Sequence, residues 1–541
     1  MSSPTSDTTL SIFRSATRFF SGTMLSRISG MVRDICMAYA FGTHSAIAAL
    51  LVAFRFAHLL RRLLGEGAMQ TALIPHFEEL RKENPQRAGF FFRDLTFSLT
   101  GLLLLIIAGI MASLGGILFW NVLDEANQEI TWLTFLMMPS LLFICLFGIN
   151  ASLMQCEKSY FSPSAAPVLF NLFWIIGIIS CSTLPQTQAM SILSIFIVAA
   201  CAAQWAITLP QTLSILNGFG VKSLFQGARY FSKDVVRLGK PLALGIIGVA
   251  AAQINNAMDA VFARWADAEG PAYLWYAIRL QQLPLGLFGV ALSGALLPPL
   301  ARAVKAGDKT LARCFLDFAT RRTLALMLPL TAALFIFGEG SISLIYRHGG
   351  FTNTSVFGTT QCLWGYTFGL IPMALVLILA PAFYAKGDYK TPSKAAMGSV
   401  VVNIGLNTLL VAFLDMGAAS IAFATSVSSW FNLFWLTKAF QKDQDRESVI
   451  SRALVLSTSK IVLAVSLAVT AVILTDLTLW ENYPALEILR GTVPESTISF
   501  MKQLMRLTLD GAIFGIVLAG AAVATKATDL TQFLGKPNAE V

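Results

Sequence analysis

The chain has 541 residues, 55% of them hydrophobic and 13% charged, with a mean hydropathy of +0.67. Soluble domains carry about a quarter charged residues, so the composition excludes a soluble globular protein and points to one built within a lipid bilayer. The net charge of +9 would suit a polyanionic partner, but the way the basic residues are distributed is that of a membrane protein and argues against nucleic acid.

Residues 1–20 are rich in Ser and Thr, with no apolar core and no small-residue cleavage site. They read as a cytoplasmic segment ahead of a first span that serves as the uncleaved insertion signal. Apolar runs of about 20 residues, the length of a helical span, then begin near residues 21, 46, 95, 130, 163, 188, 240, 272, 315, 355, 392, 416, 453 and 504. The expected fold is an all-α polytopic membrane protein with 14 transmembrane helices. Counted from a cytoplasmic N-terminus, the cytoplasmic loops hold twenty-three Lys and Arg residues, among them Arg81, Arg87, Arg93, Lys158, Lys233, Arg313, Lys390 and Arg452. The opposite loops hold three: Arg264, Arg347 and Arg490. This positive-inside asymmetry predicts that both termini face the cytoplasm.

An internal repeat organises the chain. Residues 50–75 align without gaps to residues 274–299 at a shift of 224, with eight identities in twenty-six positions; composition alone would give roughly two. Residues 151–166 align to residues 380–395 at a shift of 229, matching Tyr160 with Tyr389 and Pro163 with Pro392. The expected organisation is a cytoplasmic segment (1–20), an N-lobe of six spans (21–218), a C-lobe of six spans (219–440), and two appended helices with a cytoplasmic tail (441–541). Duplicated bundles around a midplane cavity are a transporter architecture.

Enzyme signatures are missing: the four histidines show no HExxH spacing, and no GxSxG elbow or Walker-type glycine loop occurs. The seven cysteines are odd in number and sit mostly within spans, so they read as small core residues.

What the spans do contain is arginine. Arg27, Arg33, Arg55, Arg61, Arg62 and Arg279 fall in spans one, two and eight. Arginine at the centre of a span costs about 2.5–3.5 kcal/mol, so such residues face a bundle interior or water. Arg55, His58, Arg62 and Glu66 follow one helical face, with Arg61 to its side and Arg62 within pairing distance of Glu66. In span one, Arg27, Gly30 and Asp34 share a face, and Gly30 permits a close approach. Arginine in excess of carboxylate predicts an anionic substrate, and the guanidinium fork suits phosphate. Other readings stay open at this point. Arg61 and Arg62 would snorkel if they end span two, and an Arg–Glu network would lock two lobes together. His58 alone reads as packing, and Lys460, Lys502 and Arg506 read as interfacial anchors.

SRISGMVRDICMAYAFG (26–42), FRFAHLLRRLLGEGAMQTALIPHFEE (54–79), WYAIRLQQLPLGLFGVALSGALLPPL (275–300) and LAPAFYAKGDYKTPSK (379–394) together resemble the MurJ (MviN) family of lipid II flippases in the MOP exporter superfamily. The resemblance covers essentially the whole chain. It implies two six-helix lobes around a cationic cavity, with helices thirteen and fourteen forming a groove for a polyprenyl tail. It also implies alternating access that carries lipid II, the undecaprenyl-pyrophosphate-linked disaccharide-pentapeptide, from the inner to the outer leaflet of the bacterial cytoplasmic membrane. The partners implied are lipid II and membrane lipids, for a monomer that requires no cofactor. By motif matching, the family's important arginines fall on Arg27, Arg33, Arg61 and Arg279, and its glutamate on Glu66. Ala48 and His58 depart from the polar residues usual in the family. The rivals are a flippase for another polyprenyl-diphosphate-linked glycan, a MATE-like exporter, whose cationic drugs would call for acidic residues in excess, and a membrane scaffold that transports nothing.

A possible sodium site completes the reading. Asp259 lies in QINNAMDAVFA, and Asn403 and Asn407 are one turn apart in NIGLN. Their oxygens are hard ligands, and some members of the family use sodium on these two helices. The alternative is that all three side chains only tie neighbouring helices together.

Overall fold

A computed structural model describes residues 9–59, 61, 67–221, 227–286, 296, 299–300, 302–304, 306–443, 452–479, 484–493 and 499–531. Among them every regular element is helical. The chain divides into two compact units, Met1–Ala260 and Val261–Val541.

The first unit holds α1 (Thr9–Phe41), α2 (Ser45–Ala57), α3 (Ala68–Glu83), α4 (Pro85–Trp120), α5 (Glu125–Met137), α6 (Ser140–Cys156), α7 (Phe161–Ala165), α8 (Pro167–Cys181), α9 (Gln186–Ala206), α10 (Leu209–Gly218) and most of α11 (Lys233–Ala266). The second holds α12 (Gly270–Pro284), α13 (Lys309–Tyr346), α14 (Asn353–Thr367), α15 (Leu370–Ala385), α16 (Lys390–Asn407) with a π turn at Thr408–Phe413, α17 (Ala419–Asp443), α18 (Arg452–Leu479), α19 (Pro484–Leu489), α20 (Phe500–Ala524) and α21 (Thr528–Thr531).

The sequence repeat recurs in the backbone. At the shift of 229, α6 ends at Cys156 and α15 at Ala385, and α7 begins at Phe161 and α16 at Lys390. Lys158 and Gly387, again 229 apart, both take left-handed backbone at φ 56° and 77°. At the shift of 224, Asn84 and Asp308 cap α4 and α13. The Asn84 side-chain oxygen accepts from the Gln86 and Arg87 amides, and that of Asp308 accepts from the Leu311 amide. Each cap satisfies donors that the first helical turn leaves open. In the turn after α15, the Thr391 hydroxyl and amide hold the Asp388 carboxyl below the usual carboxylate range.

One expectation is met only in its coarser form, and two change. Among the described residues eight helical spans, or nine with the pair α5 and α6 bent by 45°, are long and apolar enough to cross a membrane. That is fewer than the expected fourteen; α1, α2, α11, α12 and α17 are not among them. Four of these five carry the buried or cavity-directed polar residues singled out above, and α2 and α12 have only 13 and 15 residues. Span two, secondly, is not continuous. Helix α2 stops at Ala57, where the His58 backbone N–H and its ring Nδ1 both meet the Phe54 carbonyl, at 3.1 and 3.0 Å. Helix α3 begins after Gly67, which has φ 69°. Its repeat partner behaves alike: Arg61 and Leu285, 224 apart, both lie in π-type turns. Thirdly, Arg87, Arg93, Lys233 and Arg313 stand within α4, α11 and α13 and not in loops.

Glycine sets how closely some helices approach. A Cβ at Gly22 would overlap the Ser164 hydroxyl, whereas Gly30, expected to serve this role, would meet Asn171 Nδ2 at an ordinary 3.6 Å. At Gly177 on α8, a Cβ would stand 2.7 Å from the Phe196 Cβ on α9, while Gly116 on α4 faces open space. Gly177→Ala should therefore cost about 1–3 kcal/mol of stability through overpacking. Gly116→Ala should be neutral or stabilise by up to about 1 kcal/mol. Thermal unfolding of the purified variants checks the contrast; equal melting temperatures would contradict it.

Candidate functional site

The best-defined polar node of the first unit is Arg33 on α1. Its Nε and Nη2 donate to Asp34 Oδ1 at 3.0 and 2.6 Å, and Nη1 donates to Asn171 Oδ1 on α8 at 3.0 Å. The guanidinium lies over the Trp174 ring at 4.6 Å. Asn171 Nδ2 in turn donates to Ser29 Oγ at 2.9 Å, back on α1. Arg33, Asp34, Asn171 and Trp174 are all buried. Ring contacts continue from Trp174 to Phe54 at 5.0 Å and from Phe54 to His58 at 4.1 Å, joining α2 to the same node. Arg33 is therefore an ion pair internal to the fold, and Asp34 compensates its charge.

The same device recurs at Arg93 and Asp94 on α4. Arg93 Nε and Nη2 donate to Asp94 Oδ1 at 3.2 and 3.0 Å, and Nη2 also reaches the Gly227 carbonyl at 2.6 Å. The Arg229 amide donates to Asp94 Oδ1 at 3.1 Å, and the Phe231 amide to Ser98 Oγ at 3.1 Å. The turn leading into α11 is thereby fastened to α4. Nearby, Arg87 makes a bidentate contact with Asp234 at the start of α11, at 3.0 and 2.7 Å. The Arg-Asp dipeptide was the signal available in the sequence for both nodes.

The remaining candidates of the first unit differ in setting. Arg27 is exposed on α1 and makes no ion pair among the described residues. Arg55 is half-buried, its Nη1 donating to the Asn256 carbonyl on α11 at 3.4 Å. Arg61 is half-buried in the π-type turn after α2. Of the expected stripe from Arg55 through His58 to Glu66, Arg55 lies on α2 and His58 caps it, and Arg62 and Glu66 lie outside the described residues. His58 is buried and stacked on Phe54, a packing role, and Ala48 is fully buried in α2. Asp259 is buried on α11 and accepts from Asn255 Nδ2 at 3.3 Å.

In the second unit, Arg279 is half-buried on α12 with its guanidinium 4.5 Å from the Trp275 ring centre. Asn403 and Asn407 are both fully buried on one face of α16, and Asn407 immediately precedes the π turn. Arg506, expected as an interfacial anchor, is instead buried on α20 and makes two 2.9 Å bonds to Asp476 on α18. Its partner lies on another helix, which sequence spacing could not reveal. Lys460 and Lys502 are exposed.

A family model described as lipid II flippase MurJ matches residues 37–490. The probable lipid II flippase MurJ of Chlamydia trachomatis is 32% identical over 528 residues, covering 97% of this chain and 96% of the relative. The lipid II flippase MurJ of Burkholderia cenocepacia is 28% identical over 444 residues, covering 80% and 84%. Among solved structures, lipid II flippase MurJ in an inward closed conformation superposes with a TM-score of 0.73 at 22% identity, covering 94% of this chain and 99% of that one. An inward-facing multidrug resistance MATE family transporter of the MOP superfamily superposes at 0.61 with 13% identity, covering 80% and 100%. The two structural likenesses establish a shared fold.

Arg33 and Arg27 differ in setting, and the difference bears on stability. Removing Arg33 leaves Asp34 buried without its counter-ion, so Arg33→Met should cost about 3–5 kcal/mol. Arg27→Ala, on an exposed face, should stay within about 0.5 kcal/mol. Unfolding of both purified variants checks this; an Arg33→Met protein as stable as the parent would remove Arg33 from the structural role.

Proposed function

The chain belongs to the lipid II flippase MurJ family, and on that premise we propose how its residues carry lipid II across the bacterial cytoplasmic membrane. It is a transporter and not an enzyme. The observation that carries the mechanism is the asymmetry on α1: Arg33 is neutralised by Asp34 inside the fold, whereas Arg27 is exposed and has no ion-pair partner among the described residues. A lipid-linked diphosphate cannot cross hydrocarbon unaided, because unpaired polar and charged groups cost several kcal/mol each to bury. In the proposal, Arg27, Arg61 and Arg279 replace water around the diphosphate, with Arg55, Arg62 and Glu66 lining the path, while the polyprenyl tail stays in lipid. The membrane potential, worth about 2.3 kcal/mol per charge per 100 mV, then biases the direction in which the empty cationic site faces.

The proposal further comprises fourteen spans, lobes at 21–218 and 219–440, an appended pair in 441–541 carrying the tail, cytoplasmic termini, and action as a monomer. The recurrence of helix ends, caps and left-handed residues at shifts of 224 and 229 supports the two-lobe division. His58 and Ala48 take no part as gate contacts, consistent with their burial in packing. Sodium at Asp259, Asn403 and Asn407 belongs to the same proposal, on the chemistry of three buried side chains that offer hard oxygens.

Losing one charge-assisted contact to the diphosphate is worth about 1.5–3 kcal/mol. Arg27→Ala, Arg61→Ala and Arg279→Ala should therefore each slow flipping of lipid II in reconstituted vesicles by roughly 10- to 150-fold. Lys should rescue poorly because it lacks the planar fork. Full complementation by Arg61→Ala in cells depleted of their own lipid II flippase would remove that residue from the mechanism. For the ion, sodium should raise the melting temperature of the purified protein and lose that effect in Asp259→Asn and Asn407→Ala. Identical melting in sodium and potassium would discard the sodium site.

A further inference from the structure

A second buried ionic cluster lies in the second unit, where α13, α18 and α20 pack together. Arg506 holds Asp476 by two bonds of 2.9 Å, and the Asp510 carboxyl approaches the same Nε at 3.7 Å. Glu339 on α13 is buried and interacts electrostatically with this guanidinium. Gly340 beside it brings α20 close: a Cβ there would stand 2.8 Å from Leu507 Cδ2 and 2.9 Å from Gln503 Nε2.

Three carboxyls thus share one guanidinium. If all were ionised, the cluster would bury two uncompensated negative charges, at a cost of several kcal/mol each. The charged groups beyond it do not supply the difference, since Arg347 after α13 is offset by Glu487 on α19. Two further atoms mark where balance is missing. Asp510 Oδ1 and Gln503 Nε2 are buried on side chains 2% exposed and have no hydrogen-bond partner among the described residues. A proton on a carboxyl oxygen that no donor reaches turns it into a donor, and the neighbouring Asp476 carboxylate can accept from it. Among the described residues no group of three or more His, Cys, Asp or Glu side chains is placed to hold a metal ion.

We propose that Glu339, Asp476, Arg506 and Asp510 form a proton-binding site, in which a proton on Asp510 removes one of the two excess negative charges and the cluster fastens the C-terminal helices α18 and α20 to α13. The ligand is a proton alone, and the site stands apart from the arginines assigned to the diphosphate. Its readout is protonation and not transport, so failure of one reading leaves the other intact.

Infrared spectroscopy of the full-length protein in lipid nanodiscs should show the carbonyl stretch of a neutral carboxyl at neutral pH. That band should shift in deuterium oxide, vanish in Asp510→Asn, and persist when sodium is replaced by choline. No such band in the parent, or a band unchanged in Asp510→Asn, would overturn the proposal. Loss of the band on adding sodium would also overturn it, making this a metal-cation site. A second measurement needs no variant. Because the folded state holds a proton that the unfolded state releases, the unfolding constant should rise with pH by up to about tenfold per unit, from above the unfolded carboxyl value of about 4 to the pH at which the folded site loses its proton. A flat profile there would likewise count against the site.

Discussion

A charge removed from water inside this protein has to be answered within reach of its own side chain. The two Arg-Asp dipeptides meet this constraint in the most local way available. In each, the guanidinium folds back onto the carboxylate of the next residue and spends its remaining donor on a different segment, Asn171 in one case and the Gly227 carbonyl in the other. The ion pair thus becomes neutral toward its surroundings and at the same time a cross-link, of α1 to α8 and of α4 to the turn before α11. The Arg506 pair reaches the same end over a longer path, from α20 to α18. Only when charges of this kind are accounted for does an arginine such as Arg27 become informative.

That accounting changes the meaning of arginine content. Read from composition, every arginine in a span adds to a cationic surface. In the folded chain, Arg33, Arg93 and Arg506 are cancelled by Asp34, Asp94 and Asp476. The guanidiniums of Arg55 and Arg279 engage a carbonyl and an indole ring, contacts that leave their positive charge in place. In the proposed mechanism a diphosphate would meet a smaller and more selective set of cations than the sequence suggests, which favours a bidentate, oriented contact over diffuse attraction.

What was legible in the sequence follows from how local each signal was. The repeat at 151–166 and 380–395 carried its turn chemistry in the same residues that carry its identity, so helix ends, left-handed positions and flanking tyrosines all recur at one spacing. Apolar runs announced most helices. The end of α2 was hidden, because its leucines continue the helical period while the His58 ring turns to the Phe54 carbonyl. Gly30 looked like the contact glycine of α1, but Gly22 meets the neighbouring helix. The pairing of Arg506 was out of reach for a different reason: Asp476 is 30 residues away, and only packing brings the two together.

The turn shared by Lys158 and Gly387 records how the two halves have diverged. Left-handed backbone costs a non-glycine residue about 1–2 kcal/mol, and glycine escapes that cost. The second copy uses glycine and takes its positive charge from the flanking Lys386 and Lys390. In the first copy the position equivalent to Lys386 is Glu157, so the lysine at the strained position is the one cation available between the fourth and fifth apolar runs. In the proposed orientation, which places this hairpin in the cytoplasm, the residue that would hold it there is also the residue that bends it. A glycine there would relax the turn and, in that orientation, take away the cation that lies between those two apolar runs.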